Sequence, residues 1–325
     1  MRVGVWIPKQ YLTSVRIYSE HVCEQLQKMD VGLFPFREMD SVPDADIIWD
    51  PTCTSARFPN KKILRSNLPW IVTVHGASNL SLPLKYTFPT FKKQIRGLYI
   101  NAKRRFAWSI YRSKVAHIIT VSKFAKQELV DELNFQPANI SVIYHGYDDN
   151  IFYPQSGEKD YLLHVSVYQP KKNVDRIIEA YSQIPLEKRM PFTLVCPAYP
   201  KNIEIEKLNL VRNHIDRKDI ARLMKGAYAF IFPSIHESFG MPLVEAMACA
   251  TPLITSNSTA CPEIAQDAGL YVDPYSVDEI RAAIEKISGD PQLRKTLSEK
   301  AEERAKDFSW EKTARLHLEV FKRFD

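Results

Sequence analysis

The chain has 325 residues, 45% of them hydrophobic and 25% charged, a composition ordinary for a soluble globular protein. Its length predicts two domains of roughly 150 residues each, and no apolar run approaches the roughly 18 to 20 residues that span a bilayer. Five scattered cysteines (Cys23, Cys53, Cys196, Cys249, Cys261) without a C-x-x-C pair argue against a disulfide framework or a zinc site and point to a reducing cytoplasm.

The net charge of +6 is unevenly spread. Residues 1–150 sum to +7 and residues 151–325 to −1, and between Pro51 and Gln127 there are fifteen Lys and Arg but no Asp or Glu. In chain order, "MRVGVWIPK" reads as a first buried strand rather than a signal peptide, since it has neither the long apolar stretch nor the small-residue cleavage site. "VGVWIP", "ADIIWD", "WIVTVHG", "HIITVS" and "ISVIYHG" are the predicted strands of the first half, with helices over 15–29 and 123–133 between them. The "DAD" at 44–46 is read as a solvated strand entry rather than a metal site, and no other carboxylate or His cluster has metal-ligand spacing. "GYDDNIFYPQSGEKD" is polar and turn-rich, and reads as a linker. A second series follows: "YLLHVSV", "FTLVCPA", "NLVRNHI", "AYAFIFPS", "TPLITSN" and "GLYVD". Helices are predicted over 173–184, 218–225, 242–249, 260–265 and 276–288, with two more in 291–325. Strands alternating with helices predict an α/β protein of two Rossmann-like, doubly wound domains that face each other across a cleft. Ligands then bind outside the carboxyl ends of the strands.

The stretch "HESFGMPLVEAMACATPLIT" carries the most chemistry. It places Glu237 and Glu245 on either side of a strand-to-helix turn, with Gly240 in the turn and Pro242 at the first helical position, where proline is favoured. The first turn through Leu243 has unpaired N–H groups and the positive end of the helix dipole, so a phosphate can dock there. Carboxylates cannot bind phosphate, but each can accept hydroxyl donors, and sugars supply those. A nucleotide-sugar, with a sugar on each side of a diphosphate, would use the whole arrangement. The plainer alternative stays open: Glu in a first helical turn is stabilising in itself, and Glu237 can be a solvated loop residue.

The segment "PSIHESFGMPLVEAMACATPLITSNSTACPEIAQDAGLYVDP" resembles the signature of glycosyltransferase family 4, retaining nucleotide-sugar-dependent enzymes of GT-B fold. "WIVTVHG", "HIITVSKFAKQEL", "ISVIYHGYDDNIFYP", "YLLHVSVYQPKKNVDRIIEAY" and "FSWEKTARLHLEVF" extend the resemblance over most of the chain. It implies an acceptor-side domain over 1–152, a nucleotide-sugar-binding domain over 153–308 and a closing helix, 309–325, packing back towards the first domain. It implies that Lys172 pairs with the donor diphosphate. Glu237, with the amides near Phe239, Gly240 and Met241, would hold the transferred sugar and distal phosphate. Glu245 would hold the ribose, and His75 would reach the sugar from the opposite domain. The base would lie near Val211 to Asn213. No cofactor or metal is implied, only a nucleotide-diphosphate sugar as co-substrate.

Three positions depart from the family pattern. Thr13 and Ser14 stand where adjacent glycines are usual, and with Arg16 they are candidates to make acceptor or phosphate contacts. Ser166-Val167 replaces the usual Gly-Arg or Gly-Ser. Ala250 replaces the glycine after the signature helix. The expected function is metal-independent, hexosyltransferase-type sugar transfer to a glycan, glycolipid or other glycoconjugate. The alternative is a catalytically reduced GT-B-shaped binding or scaffolding protein; a nucleotide-sugar epimerase fits less well.

Residues 85–114, "KYTFPTFKKQIRGLYINAKRRFAWSIYRSK", combine nine cations with Phe, Tyr and Trp and no acid. They read as an amphipathic helix on an anionic membrane surface at the inner face of the cytoplasmic membrane, or as a helix with a solvated basic face and an aromatic core face. A nucleic-acid groove would need similar charge, but no nucleic-acid motif accompanies it.

Overall fold

The computed structural model describes residues 1–9, 13–55, 61–88 and 90–325. The chain divides into two compact units, Met1–Gly146 with Ser309–Asp325, and Tyr147–Phe308.

The first unit contains β1 (Arg2–Trp6), α1 (Thr13–Lys28), β2 (Gly32–Phe36), β3 (Ile47–Cys53), α2 (Lys61–Arg65), β4 (Trp70–Val74), α3 (Ser78–Ser81), α4 (Leu84–Thr87), α5 (Phe91–Tyr111), β5 (Val115–Thr120), α6 (Lys123–Leu133) and β6 (Ile140–Val142). Its six strands form one parallel sheet in the order β2-β1-β3-β4-β5-β6. Every residue of the central strands β3 and β4 is buried, as expected where helices cover both faces of a parallel sheet. The five strands read from sequence are present with shifted ends. The sixth, β2, was missed because Pro35 breaks its pattern; β2 pairs only with β1, and a sheet edge is where a strand tolerates proline.

Asp44 and Asp46 sit at the amino ends of the strands. Asp46 accepts from Arg2 N at 2.6 Å, and both carboxylates meet the Arg2 guanidinium, so "DAD" ties β1 to the start of β3. Among the described residues no group of three or more His, Cys, Asp or Glu is placed to hold a metal ion.

The second unit contains β7 (Tyr161–Val165), α7 (Val174–Ser182), β8 (Phe192–Val195), β9 (Leu208–Val211), α8 (Arg217–Gly226), β10 (Ala227–Phe232), α9 (Met241–Ala248), β11 (Leu253–Ser256), α10 (Cys261–Ala265), β12 (Gly269–Val272), α11 (Val277–Gly289) and α12 (Pro291–Ala305). Its sheet is also six-stranded and parallel, ordered β12-β11-β10-β7-β8-β9. Strand order reverses beside β7, with β8 on one side and β10 on the other. Such a switch point opens a crevice at the carboxyl ends. "NLVRNHI" is strand only as far as Val211.

The last helix, α13 (Trp310–Phe321), packs on α1 within the first unit. Its His317 donates from Nδ1 to Thr313 O at 2.7 Å, so its Nε2 is left to accept from Tyr18 Oη at 2.6 Å. Tyr18 Oη in turn lies 3.1 Å from Thr73 Oγ1, which accepts from Trp49 Nε1 at 3.0 Å. This fully buried chain of polar groups is satisfied link by link, which is what allows it inside a core. Gly146 is required here: a Cβ on it would come within 2.2 Å of Trp310 N.

Candidate active site

Three loops converge on the switch point of the second sheet. The loop after β7 ends in a single 3-10 turn, Pro170–Lys172. The next residue, Asn173, is buried in the left-handed region (φ 63°), a conformation asparagine tolerates, and its Nδ2 donates to Pro233 O at 2.9 Å and to Pro274 O. Lys171 O accepts from Ile235 N at 2.8 Å, which stitches this loop to the one after β10. The loop after β11 holds the same segment: Glu237 N donates to Thr259 Oγ1 at 3.2 Å, and Ala260 N to Glu237 O at 3.2 Å.

The result is a buried ion pair. Lys172 Nζ donates to Glu237 Oε1 at 2.6 Å, with side chains only 15% and 9% exposed, and lies 5.0 Å from the centre of the Phe232 ring. Burial acts to lift the Glu237 carboxyl, but Lys172, Lys171 and the hydrogen bond from Lys172 outweigh it and hold the group below its ordinary value. Glu237 is therefore a pure acceptor.

Gly240 heads α9 with φ +95°, a backbone that L side chains rarely adopt, and Pro242 follows in the first turn. The amides of Gly240 and Met241 stand at the positive end of the helix. Leu243 offers less than the sequence reading expects: its side chain is fully buried and its N–H is bonded to Gly240 O at 2.9 Å. Pro242 has no N–H to give. Phe239 is buried edge-on against Phe308, so its side chain is turned to the core.

Glu245 lies one turn further along α9 and is 5% exposed. Its Oε1 is 2.7 Å from Arg217 Nη2, and the Arg217 guanidinium stacks 5.2 Å from the Phe152 ring centre. Burial lifts this carboxyl above its ordinary value, with Arg217 pulling the other way. The two glutamates thus sit in opposite electrostatic settings, one held ionised and one biased towards its proton. Neither Arg217 nor Asn173 figures in the sequence reading.

Of the residues expected near the base, Val211 ends the edge strand β9 with its carbonyl taken by Cys196 N at 2.9 Å, and Asn213 is exposed beyond it. His164 is a core residue, fully buried, bonded through Nδ1 to Ile231 O at 2.7 Å and through Nε2 to Ser166 Oγ at 2.8 Å. In the first unit, His75 follows β4. Its Nε2 donates to Pro51 O at 2.8 Å, and its ring lies parallel to His145 with centres 5.5 Å apart and edge-on to Tyr18 at 4.7 Å. Burial pushes His75 down to about 4, so the ring is neutral and its Nδ1 carries a lone pair. Thr13 and Ser14 open α1 and are exposed; Arg16 is exposed and paired with Glu20 at 3.3 Å.

Solved structures share this architecture over nearly the whole chain. Sucrose-phosphate synthase from Thermosynechococcus elongatus aligns with a TM-score of 0.77 at 17% identity, covering 99% of this chain and 98% of that one. Anabaena HepE, solved in complex with UDP-glucose, aligns at 0.72 and 14%, covering 99% and 100%. The fold is GT-B, and two family models make the class of protein the glycosyltransferases. The model of "Glycosyl transferases group 1" matches residues 149–304, and that of "Glycosyltransferase Family 4" residues 36–151. An uncharacterized glycosyltransferase of Methanocaldococcus jannaschii is 32% identical over 271 residues, covering 80% of this chain and 69% of that one. The chain belongs to glycosyltransferase family 4. O-antigen chain mannosyltransferase B of Escherichia coli is 29% identical over 229 residues, 63% of this chain and 60% of that protein. The match to the E. coli serotype-specific mannosyltransferase WbdA covers 22% of its length.

Proposed function

We propose that the protein is a retaining glycosyltransferase that moves a sugar from a nucleotide-diphosphate donor to a glycan, glycolipid or other glycoconjugate without a metal ion. The observation that carries this is the Lys172–Glu237 pair at the switch point, beside the N-terminus of α9. An ammonium group and unpaired amides suit a diphosphate, and an ionised carboxylate suits sugar hydroxyls. On this reading the bond from the sugar's anomeric carbon to the diphosphate oxygen breaks, and one from the acceptor oxygen forms on the same face. The acceptor proton passes to the departing phosphate. Lys172 and the α9 amides stabilise the charge that develops on the leaving group, the term with most effect on the rate. Glu245 is assigned to the ribose and His75 to the transferred sugar. The names of the relatives put mannose donors first among those to test. The five free cysteines support a cytoplasmic protein.

A thermal-shift screen of UDP-, GDP- and ADP-sugars tests the donor. A true donor at 100 times its Kd adds about 2.7 kcal/mol of stability. Turnover by Lys172→Ala and Glu237→Ala should fall about 100- to 1,000-fold. Normal turnover by either variant, or no shift with any nucleotide-sugar, overturns the proposal.

A further inference from the structure

The second unit has a cavity of about 320 Å³ at the carboxyl end of α9, the end opposite Gly240. Ser156, Gly157, Lys159, Ala250, Arg294 and Ser298 stand in its wall, and among the described residues no carboxylate does. The carbonyls that end α9 are already taken: Cys249 O accepts from Lys159 Nζ at 3.5 Å, and Ala250 O from Ser298 Oγ at 2.6 Å. The negative end of the helix dipole is thereby covered. The two formal charges left in the wall are both positive.

Those cations carry more donors than the protein uses. Lys159 spends one of its three on Cys249 O. Arg294 donates from Nε to Tyr228 O at 3.3 Å and stacks 4.5 Å from the Tyr228 ring centre. The N–H groups on both its Nη atoms are left without an acceptor among the described residues, and neither cation has a carboxylate partner there. Capping α9 explains one Lys159 donor, and packing on Tyr228 explains the Arg294 Nε and one face of its guanidinium. Neither explains why two like charges are kept together and part-buried. Burial and then Arg294 hold Lys159 below its ordinary value, with Cys249 and Glu302 pulling more weakly the other way. Partly desolvated cations with idle donors are unfavourable until an anion joins them. A guanidinium fork takes two phosphate oxygens at once, and an ammonium adds a point charge beside it. At the small end of ligand pockets, the cavity suits a phosphate or diphosphate group rather than a whole nucleotide-sugar.

We propose that this cavity is a second anion site, holding the phosphate or diphosphate group of a soluble metabolite between Arg294 and Lys159. It shares no residue with the donor site and stands whether or not the sugar-transfer reading holds.

Calorimetric titration of the full chain with pyrophosphate at low salt tests it. Because the donor site can also take pyrophosphate, the readout is the number bound. Lys159→Gln with Arg294→Gln should bind one pyrophosphate fewer per chain than the unmodified protein. If the donor reading is right the counts are two and one, and if it is wrong they are one and none. Lys159→Gln alone, which leaves the Tyr228 stack in place, should weaken this site about tenfold without moving the melting temperature, and Lys159→Arg should keep it. Lys295→Gln, on the exposed side of α12, should bind like the unmodified chain. An unchanged count in the double variant overturns the proposal, as does no pyrophosphate bound by the unmodified protein. So does an equal loss with Lys295→Gln, which would mean diffuse attraction to a basic surface.

Discussion

At the scale of single residues, Lys172 and Glu237 neutralise each other in a site that water barely reaches. Removing one partner of a buried pair strands the other charge, at a cost of about 3 to 5 kcal/mol. Lys172→Met should therefore unfold at markedly lower urea than the unmodified chain. Adding Glu237→Gln should recover much of that loss while transfer remains absent. Equal urea midpoints for the single variant and the unmodified chain would show that the pair is not a structural unit. Glu237 and Glu245 drew notice in the sequence because they flank a recognisable strand-to-helix turn, and Lys172 only through the resemblance of its loop to the family's. Arg217 did not: it meets Glu245 across 28 residues and an intervening strand, and no local pattern records a contact made by the fold. Asn173 did leave a signal, since asparagine is the side chain that most readily replaces glycine at a left-handed position.

At the scale of elements, the scarcity of glycine has a measurable effect at the end of α9. Ala250 N donates to Met247 O at 2.9 Å and Thr251 N to Ala246 O at 3.0 Å, a Schellman ending whose left-handed residue is usually glycine. Here it is alanine, at φ +52°. A left-handed alanine costs about 1 to 2 kcal/mol, partly offset by the greater freedom of glycine in the unfolded chain. Ala250→Gly should thus raise stability by about 1 kcal/mol, seen as a higher melting temperature; a lower one would mean that the Ala250 methyl group matters more than its backbone strain. Departure from the family pattern was legible as a missing glycine, but the strain it leaves is a backbone angle, which only the structure supplies. Likewise, the cations and aromatics of 85–114 were plain in the sequence, whereas their sorting into a buried Trp108 face and an exposed apolar stripe was not. A helix can bury either of two apolar faces, and packing against α4 and α6 decided between them.

At the scale of the molecule, acid should act through buried histidines. His164, His317 and His75 are each pushed down to about 4 by burial, and His145 also lies well below its ordinary value, for the same reason. An unfolded histidine takes its proton near 6.5. Between these values the unfolded chain binds more protons than the folded one, so stability falls as pH falls from about 6.5 towards 4, by up to roughly 1.4 kcal/mol per pH unit for each histidine. Urea midpoints that hold level above pH 7 and drop steeply between pH 6.5 and 5 are expected; a flat profile across that window would rule the mechanism out. The division into two sheets followed from alternating strands and helices, whereas the return of 309–325 to the first unit was implied only by the family resemblance, because it rests on contacts between distant segments that no local pattern records. Residues 147–308 are spliced into the middle of the first unit's chain. Tyr18 is translated early, yet its partner His317 leaves the ribosome 299 residues later. The inserted unit is contiguous and can close as it emerges, while the first unit stays unfinished with its α13 berth empty. Of the two units, the one begun earlier is therefore completed later.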